Sequence, residues 1–253
     1  MGATRRRRLG PWLLVVLAAT LWAAPAGAER DPAPHPGARD RGCRPQPLVT
    51  SRYAYAAYVR TTARAYRRPG RSPIARFRSR NQNGADMVFG VLGAVRGANC
   101  RPVWYRVQLP TKPNGITGYV RARDVRLRIV RSRIVVDLSN RQVSLYRSGR
   151  RVVTATVAVG TASTPTPLGR YYVNQRLIPG NPYGPFGVGA IGISAFSEVL
   201  TGWTQGGPVA IHGTNRPHLL GRAVSNGCIR VHNNAMRRMF RLARSGTPVL
   251  IRQ

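Results

Sequence analysis

From Tyr58 onward the chain is written in short β-prone runs separated by turn residues, and residues 233–244 are its clearest helical stretch. Runs of three to eight apolar and β-branched residues bury one face of a strand but are too short for a helix. That pattern restricts the fold to a mainly β architecture. At 253 residues the chain is long enough for one large domain or two smaller ones with real cores.

Two β units are expected. In the first, Tyr58-Val59-Arg60, Met87-Val88-Phe89, Trp104-Tyr105-Arg106-Val107 and Gly118-Tyr119-Val120 are candidate strands. Arg68-Pro69-Gly70, Asn83-Gly84, Arg96-Gly97 and Pro113-Asn114-Gly115 are the turns between them. In the second, Ile134-Val135-Val136-Asp137-Leu138, Gln142-Val143-Ser144-Leu145-Tyr146 and residues 152–159 read as successive antiparallel strands, with turns at Ser139-Asn140 and Ser148-Gly149. Residues 170–178, Pro208-Val209-Ala210-Ile211 and residues 247–252 add three more strands. In the helix, Met236, Met239, Phe240 and Ala243 share one face, Asn233 or Asn234 caps the start, and Gly246 follows the end.

The N-terminus reads as an export signal. Residues 5–8 are four arginines, residues 11–24 are an apolar stretch, and Ala26-Gly27-Ala28 is a small-residue cleavage site that leaves Glu29 first in the mature chain. The rival reading is an uncleaved anchor, but a membrane span takes about 20 apolar residues and this run is short for one. Residues 29–47, rich in Pro, Arg and Asp, read as a flexible linker. No second long apolar run follows, so the mature chain is expected to be soluble or held at a surface by charge.

Forty-one basic residues face seven acidic ones, for a net charge of +34, and Lys112 is the only lysine. Such a field suits an anionic cell wall or membrane surface. It also suits nucleic acid. An arginine-favouring codon bias contributes to it without function. The export signal and the scatter of arginines along the whole chain argue against a specific nucleic-acid partner. The three cysteines are Cys43, Cys100 and Cys228. An odd count in an exported chain is accounted for by one disulfide, Cys43–Cys100, and one free thiol, Cys228, although the first two could also stay unpaired.

Cys228 lies in Ser225-Asn226-Gly227-Cys228-Ile229-Arg230-Val231, and His212 in Ile211-His212-Gly213-Thr214-Asn215. A thiol needs a base to become a strong nucleophile near neutral pH, and imidazole is the usual one. Gly227 lets the backbone bend closely around a reacting carbonyl, and amides near Gly227 and Cys228 are candidate oxyanion donors. Arg230 adds positive charge that favours the thiolate. Among the four histidines, His35 falls in the linker, His218 in a loop after Pro217, and His232 at the helix start. His212, at a strand end before a glycine, is the preferred base. A metal site built from His212, Cys228 and His232 lacks any paired-ligand spacing, so neither metal nor cofactor is expected. Asp137 and Glu198 have no motif-like context, which leaves a backbone carbonyl as an alternative partner to orient the base.

These residues carry a specific resemblance. His212-Gly213-Thr214-Asn215 followed by Ser225-x-Gly227-Cys228-Ile229-Arg230 resembles the L,D-transpeptidase (YkuD-type) catalytic domain. Thr164-Pro165-Thr166-Pro167-Leu168-Gly169-Arg170-Tyr171 and Asn181-Pro182-Tyr183-Gly184-Pro185 resemble two further segments of that family, in the same order. The departure is Asn226, where many members carry a histidine. Asn cannot act as a base near neutral pH. The Trp104 and Gly118-Tyr119-Val120 strands resemble the end of a bacterial SH3-like domain.

The resemblances imply a signal peptide (1–28), a linker (29–47), a small SH3-like β-barrel (48–129), and a β-sandwich-like catalytic domain (130–253) with one helix after the active-site motif. They imply an exported enzyme of the cell wall, periplasm or extracellular space, with Cys228 as nucleophile and His212 as base. Ser225, Asn226, Gly227, Arg230, Gly213 and Thr214 would shape the substrate cradle. Peptidoglycan stem peptides would be the substrates, carbapenem-type β-lactams the inhibitors. The same thioester would also serve an L,D-carboxypeptidase, and a non-catalytic wall-binding protein is the reading from another class.

Overall fold

Two β-sheets, joined through the single residue Arg131, make up the described part of the chain. The computed structural model describes Cys43, residues 47–200, Gly202 and residues 207–253. The expected signal peptide, nearly all of the expected linker and His35 lie outside the described residues.

The first sheet holds seven antiparallel strands: β1 (Ala54–Val59), β2 (Thr62–Tyr66), β3 (Pro73–Arg78), β4 (Val88–Arg96), β5 (Pro102–Gln108), β6 (Thr117–Arg121) and β7 (Val125–Val130). Their order is β3-β2-β6-β5-β4-β1-β7. Phe89, Val107, Leu109 and Val120 fill its core. Trp104 is buried in edge-to-face contact with Tyr66, a packing role. A disulfide ties Cys43 to Cys100, at the turn between β4 and β5.

The second sheet holds β8 (Ser132–Asp137), β9 (Gln142–Arg147), β10 (Arg150–Gly160), β11 (Gly169–Leu177), β12 (Ala190–Phe196), β13 (Pro208–His212), β14 (Ala223–Ser225), β15 (Ile229–Val231) and β16 (Pro248–Arg252). Its order is β14-β10-β15-β13-β12-β11-β16-β8-β9, and β9 pairs back onto β10. The result is a closed, mixed eight-stranded barrel with β14 as an outer addition. Here the structure differs from the expected two-layer sandwich, and the reason lies in two long strands. The first part of β10 pairs with β9 and its end with β15. Likewise β11 pairs first with β16 and then with β12. Each strand changes partner partway along its length, so the two expected layers become one ring.

Barrel closure leaves each strand with an inner face, filled by Ile134, Leu145, Ile193, Ile211, Ile229 and Ile251. The helix α1 (Asn233–Leu242) buries Met236 and Met239 against this core, with Ala243 behind them. Its cap differs from expectation. His232 takes the N-cap position and its Nδ1 accepts the Asn234 N–H, leaving the Asn233 side chain for another task.

The two sheets meet along β1, which is buried on both faces. Ala57 and Val59 point into the first core, while Ala54 and Ala56 face Val88 and Val130 on the other side. Small residues there admit a close approach. A Cβ at Gly90 would lie 2.8 Å from Tyr172, a fully buried ring of β11. Polar bonds fix the same seam. Tyr58 donates to the Ser245 carbonyl, and Gln108 Nε2 to the Arg170 carbonyl at 2.8 Å. Asn114 both donates to and accepts from the Phe196 backbone, each at 2.8 Å.

The seam gives a test. Gly90→Ala should destabilise the protein by about 1–3 kcal/mol, because a buried ring cannot yield to the added methyl. Gly93→Ala on the same strand, where a Cβ meets nothing within 4 Å, should be neutral or slightly stabilising. Urea unfolding of the two variants checks the difference.

Candidate active site

The site begins with one strand pairing. β13 and β15 run parallel, with Ile211 opposite Ile229 and His212 opposite Arg230. Ile211 and Ile229 are wholly buried in the barrel core. Alternation along a strand then turns His212 and Arg230 to the outer face. Cys228 stands two residues before Arg230, beside Ala210, whose backbone N–H favours its thiolate. Cys228 comes one residue before β15 begins, about 7 Å in the strand direction from the level of His212. The imidazole stands at the end of β13 and the thiol one residue before β15, with the Arg230 charge acting on both.

His212 is buried, and its ring lies 4.9 Å from that of Phe186. Its Nδ1 is 2.6 Å from the Gly213 carbonyl oxygen. A carbonyl only accepts, so Nδ1 carries the proton and Nε2 is left with its lone pair. Burial lowers the imidazole pKa to about 4, outweighing the Gly213 bond that raises it, and Arg230 lowers it further. Burial also raises the Cys228 thiol, against the lowering influence of the Ala210 N–H and Arg230. The resting pair is therefore a neutral imidazole and a neutral thiol, not an ion pair.

Two segments fix the cysteine turn. Ser225 Oγ donates to the Cys228 carbonyl at 2.6 Å and accepts the Gly227 N–H at 3.2 Å. Gly227 has φ +106°, a conformation other residues avoid. From the far side, residues 161–166 form a strap. Thr164 Oγ1 donates to the Ser225 carbonyl at 3.0 Å, and Thr166 Oγ1 to the Gly227 carbonyl at 2.9 Å. Thr166 in turn accepts the Gly160 N–H. The Thr-Pro segment singled out in the sequence is thus a structural support of the cysteine turn.

The other sequence-derived residues fall as follows. Gly213 and Thr214 are buried directly after His212, while Asn226 is exposed at the tip of the cysteine turn. Arg230 is half-buried, directly opposite His212 in the strand register and two residues after Cys228. Of the other histidines, His218 is exposed on a short turn and His232 caps the helix. Asp137 is held by Arg252 at 3.0 Å on β16, and Glu198 contacts Asn114 near the seam. Among the described residues, no group of three His, Cys, Asp or Glu could hold a metal ion, and no helix is long and apolar enough to cross a membrane. At the other end of β13 from His212, a groove of about 440 Å³ opens at the seam, lined by Arg76, Arg78, Arg80, Asn81, Gln175 and Phe196 among others.

Residues signalled only weakly by the sequence also matter. Phe186 covers the imidazole from the segment before β12. Asn233 grips the backbone after His212, and in sequence it is indistinguishable from a helix cap.

Comparison with known proteins identifies this barrel. Residues 131–251 match the model of the YkuD family, described as the L,D-transpeptidase catalytic domain. YqjB of Bacillus subtilis is 31% identical over 128 residues, covering 47% of this chain and 69% of that protein. The chain belongs to the L,D-transpeptidase family, with its YkuD catalytic domain in the barrel. YkuD of Bacillus licheniformis is 38% identical over 119 residues, and the chain spans 64% of that relative's length. The L,D-transpeptidase names of these relatives are themselves provisional. Among solved structures, the catalytic domain of an Enterococcus faecium L,D-transpeptidase is 24% identical and covers 48% of this chain and 96% of its own (TM-score 0.36). L,D-transpeptidase 3 of Mycobacterium tuberculosis with a faropenem-derived adduct is 16% identical and covers 56% of this chain and 76% of its own (TM-score 0.39).

The buried neutral His212 makes a stability prediction. Its folded pKa, about 4, lies below the ordinary value of 6.5. Between those values the unfolded chain binds the proton and the folded chain does not, so stability falls as pH falls through this window. The loss is on the order of 3 kcal/mol and complete below about pH 4. Urea midpoints across the window should show it, and His212→Gln should remove that component. An equal pH slope in both proteins refutes the burial argument.

Proposed function

We propose that this protein is an exported peptidoglycan L,D-transpeptidase acting through a Cys228 thioester. The observation that carries the reading is the parallel β13–β15 pair of a YkuD domain, which brings a neutral imidazole with an unprotonated Nε2 and the segment that begins with the Cys228 thiol onto neighbouring strands. His212 Nε2 takes the Cys228 proton as sulfur bonds to the carbonyl carbon of a stem-peptide amide. The C–N bond then breaks, and the imidazolium returns the proton to the departing D-residue's amine. An amine from a neighbouring stem attacks the thioester, and the thiol is released with the new cross-link.

Because the Gly227 N–H is engaged by Ser225, the Cys228 N–H and the Arg230 guanidinium are the candidate oxyanion donors. Ser225, Gly213 and Thr214 hold the cradle's backbone, and exposed Asn226 faces substrate.

Residues 48–129 act as an SH3-like wall-binding module in this reading. Adjacent β5 and β6, which carry Trp104 and Gly118-Tyr119-Val120, support the likeness. The Cys43–Cys100 disulfide is consistent with an oxidising compartment outside the cytosol. The charge of +34 and the arginine-lined groove suit anionic wall polymers. Relatives solved with imipenem or a faropenem-derived adduct support carbapenem-type acylation of Cys228.

The test is product analysis by mass spectrometry after incubating the protein, without residues 1–28, with disaccharide-tetrapeptide. Cross-linked dimers are expected, and Cys228→Ala should form none. Tripeptide monomer alone would reassign the protein as an L,D-carboxypeptidase. Unchanged substrate with wild type, or full turnover by Cys228→Ala, would overturn the thioester mechanism.

A further inference from the structure

The carbonyl that fixes the His212 tautomer belongs to Gly213, in a loop that has no strand pairing of its own beyond β13. Something must hold that carbonyl in place. Asn233, at the first position of α1, meets the loop with both ends of its carboxamide. Its Oδ1 accepts the Thr214 N–H at 3.1 Å and the Val188 N–H at 3.4 Å. Its Nδ2 donates to the Thr214 carbonyl at 3.1 Å. Asn233 therefore binds Thr214 as a neighbouring β-strand would, and it spans to the segment carrying Phe186 as well.

The surrounding sequence is built around this side chain. A Cβ at either Gly187 or Gly213 would collide with Asn233 Oδ1. Two glycines from separate segments thus form a socket that only the carboxamide fills. The Gly213 N–H is also fixed, donating to the Gly189 carbonyl at 3.1 Å. With the Gly213 amide on one side and Thr214 on the other both held, the Gly213 carbonyl has one orientation, aimed at His212 Nδ1.

We infer that Asn233 is a positioning residue for the cysteine chemistry. Through Thr214 and Gly213 it holds His212 in the Nδ1–H tautomer, leaving Nε2 as the proton acceptor. It touches neither substrate nor the reacting atoms. The inference rests on the thioester reading for its catalytic consequence, but the tautomer itself can be read without turnover.

The experiment pairs two readouts on the full chain without residues 1–28. Nitrogen-15 chemical shifts of the His212 ring report its tautomer, and intact mass against time in excess imipenem reports acylation of Cys228. In wild type the ring shifts should show protonated Nδ1 and unprotonated Nε2. Asn233→Ala should mix the tautomers and slow acylation by about 10- to 100-fold, the scale expected when a reacting group is misplaced by about 1 Å. Asn233→Asp keeps the acceptor for the two N–H groups and should recover part of the rate. Should Asn233→Ala fail to fold, Gly213→Ala tests the same clamp by pushing the carboxamide out of its socket.

Wild-type ring shifts and an acylation rate within twofold of wild type in the Ala variants would overturn the proposal, even if the melting temperature fell. Failure of wild type itself to acylate would count against the thioester reading instead, and the ring shifts would still decide the role of Asn233.

Discussion

The parallel pairing of β13 with β15 is the constraint on which the site depends. Ile211 and Ile229 anchor the pair in the barrel core, so the register cannot slip by one residue without expelling both from it. The same register sets His212 opposite Arg230 on the outer face, with Cys228 one residue before β15. Hydrophobic burial on the inner face thereby aligns polar chemistry on the outer one. β15 is only three residues long, so its hold comes from lying between β10 and β13.

A parallel pair needs a long connection, and here that connection, residues 213–228, carries most of the candidate site's backbone. Loops of that length are usually mobile unless tied down. This one is tied at both ends by side chains from elsewhere in the sequence. Thr164 and Thr166 hold the cysteine end from the strap after β10. Asn233 holds the histidine end from the start of α1. The barrel supplies rigid strands, and hydrogen bonds from these two separate segments transmit that rigidity to the loop.

Much of this fold was legible because its strands alternate or run apolar for five residues or more. β8, β9, β10, β11 and β13 were read close to their observed limits. β12 was not, because Gly187, Gly189 and Gly192 give its region the composition of a loop. Gly192 is required there, since a Cβ would sit 2.6 Å from Gln175 Cγ. β2 and β3 were missed for a different reason. In β2 the buried Ala63 and Ala65 flank Arg64, and β3 buries no residue fully, which weakens the apolar signal. Closure into a barrel was illegible, since it follows from where β10 and β11 change partners. In the candidate site, Cys228 and His212 stand out in the sequence as residue types, but their placement depends on strand register, and the Asn233 contacts reach segments 19 and 45 residues away.

The electrostatics resolve an apparent conflict. A chain of net charge +34 should favour a thiolate, and Arg230 does pull Cys228 in that direction. Burial wins, because desolvation of a charge at close range outweighs a field that water screens over about 8–10 Å. The same burial keeps His212 neutral and able to accept a proton. A protonated thiol is a slow partner in disulfide exchange, which matters in a chain that also carries the Cys43–Cys100 bond. In the proposed thioester mechanism the proton therefore leaves sulfur only when an electrophile is in place and His212 Nε2 can receive it. On that proposal, reactivity is set by the geometry of the β13–β15 pair and its clamps, not by a standing thiolate.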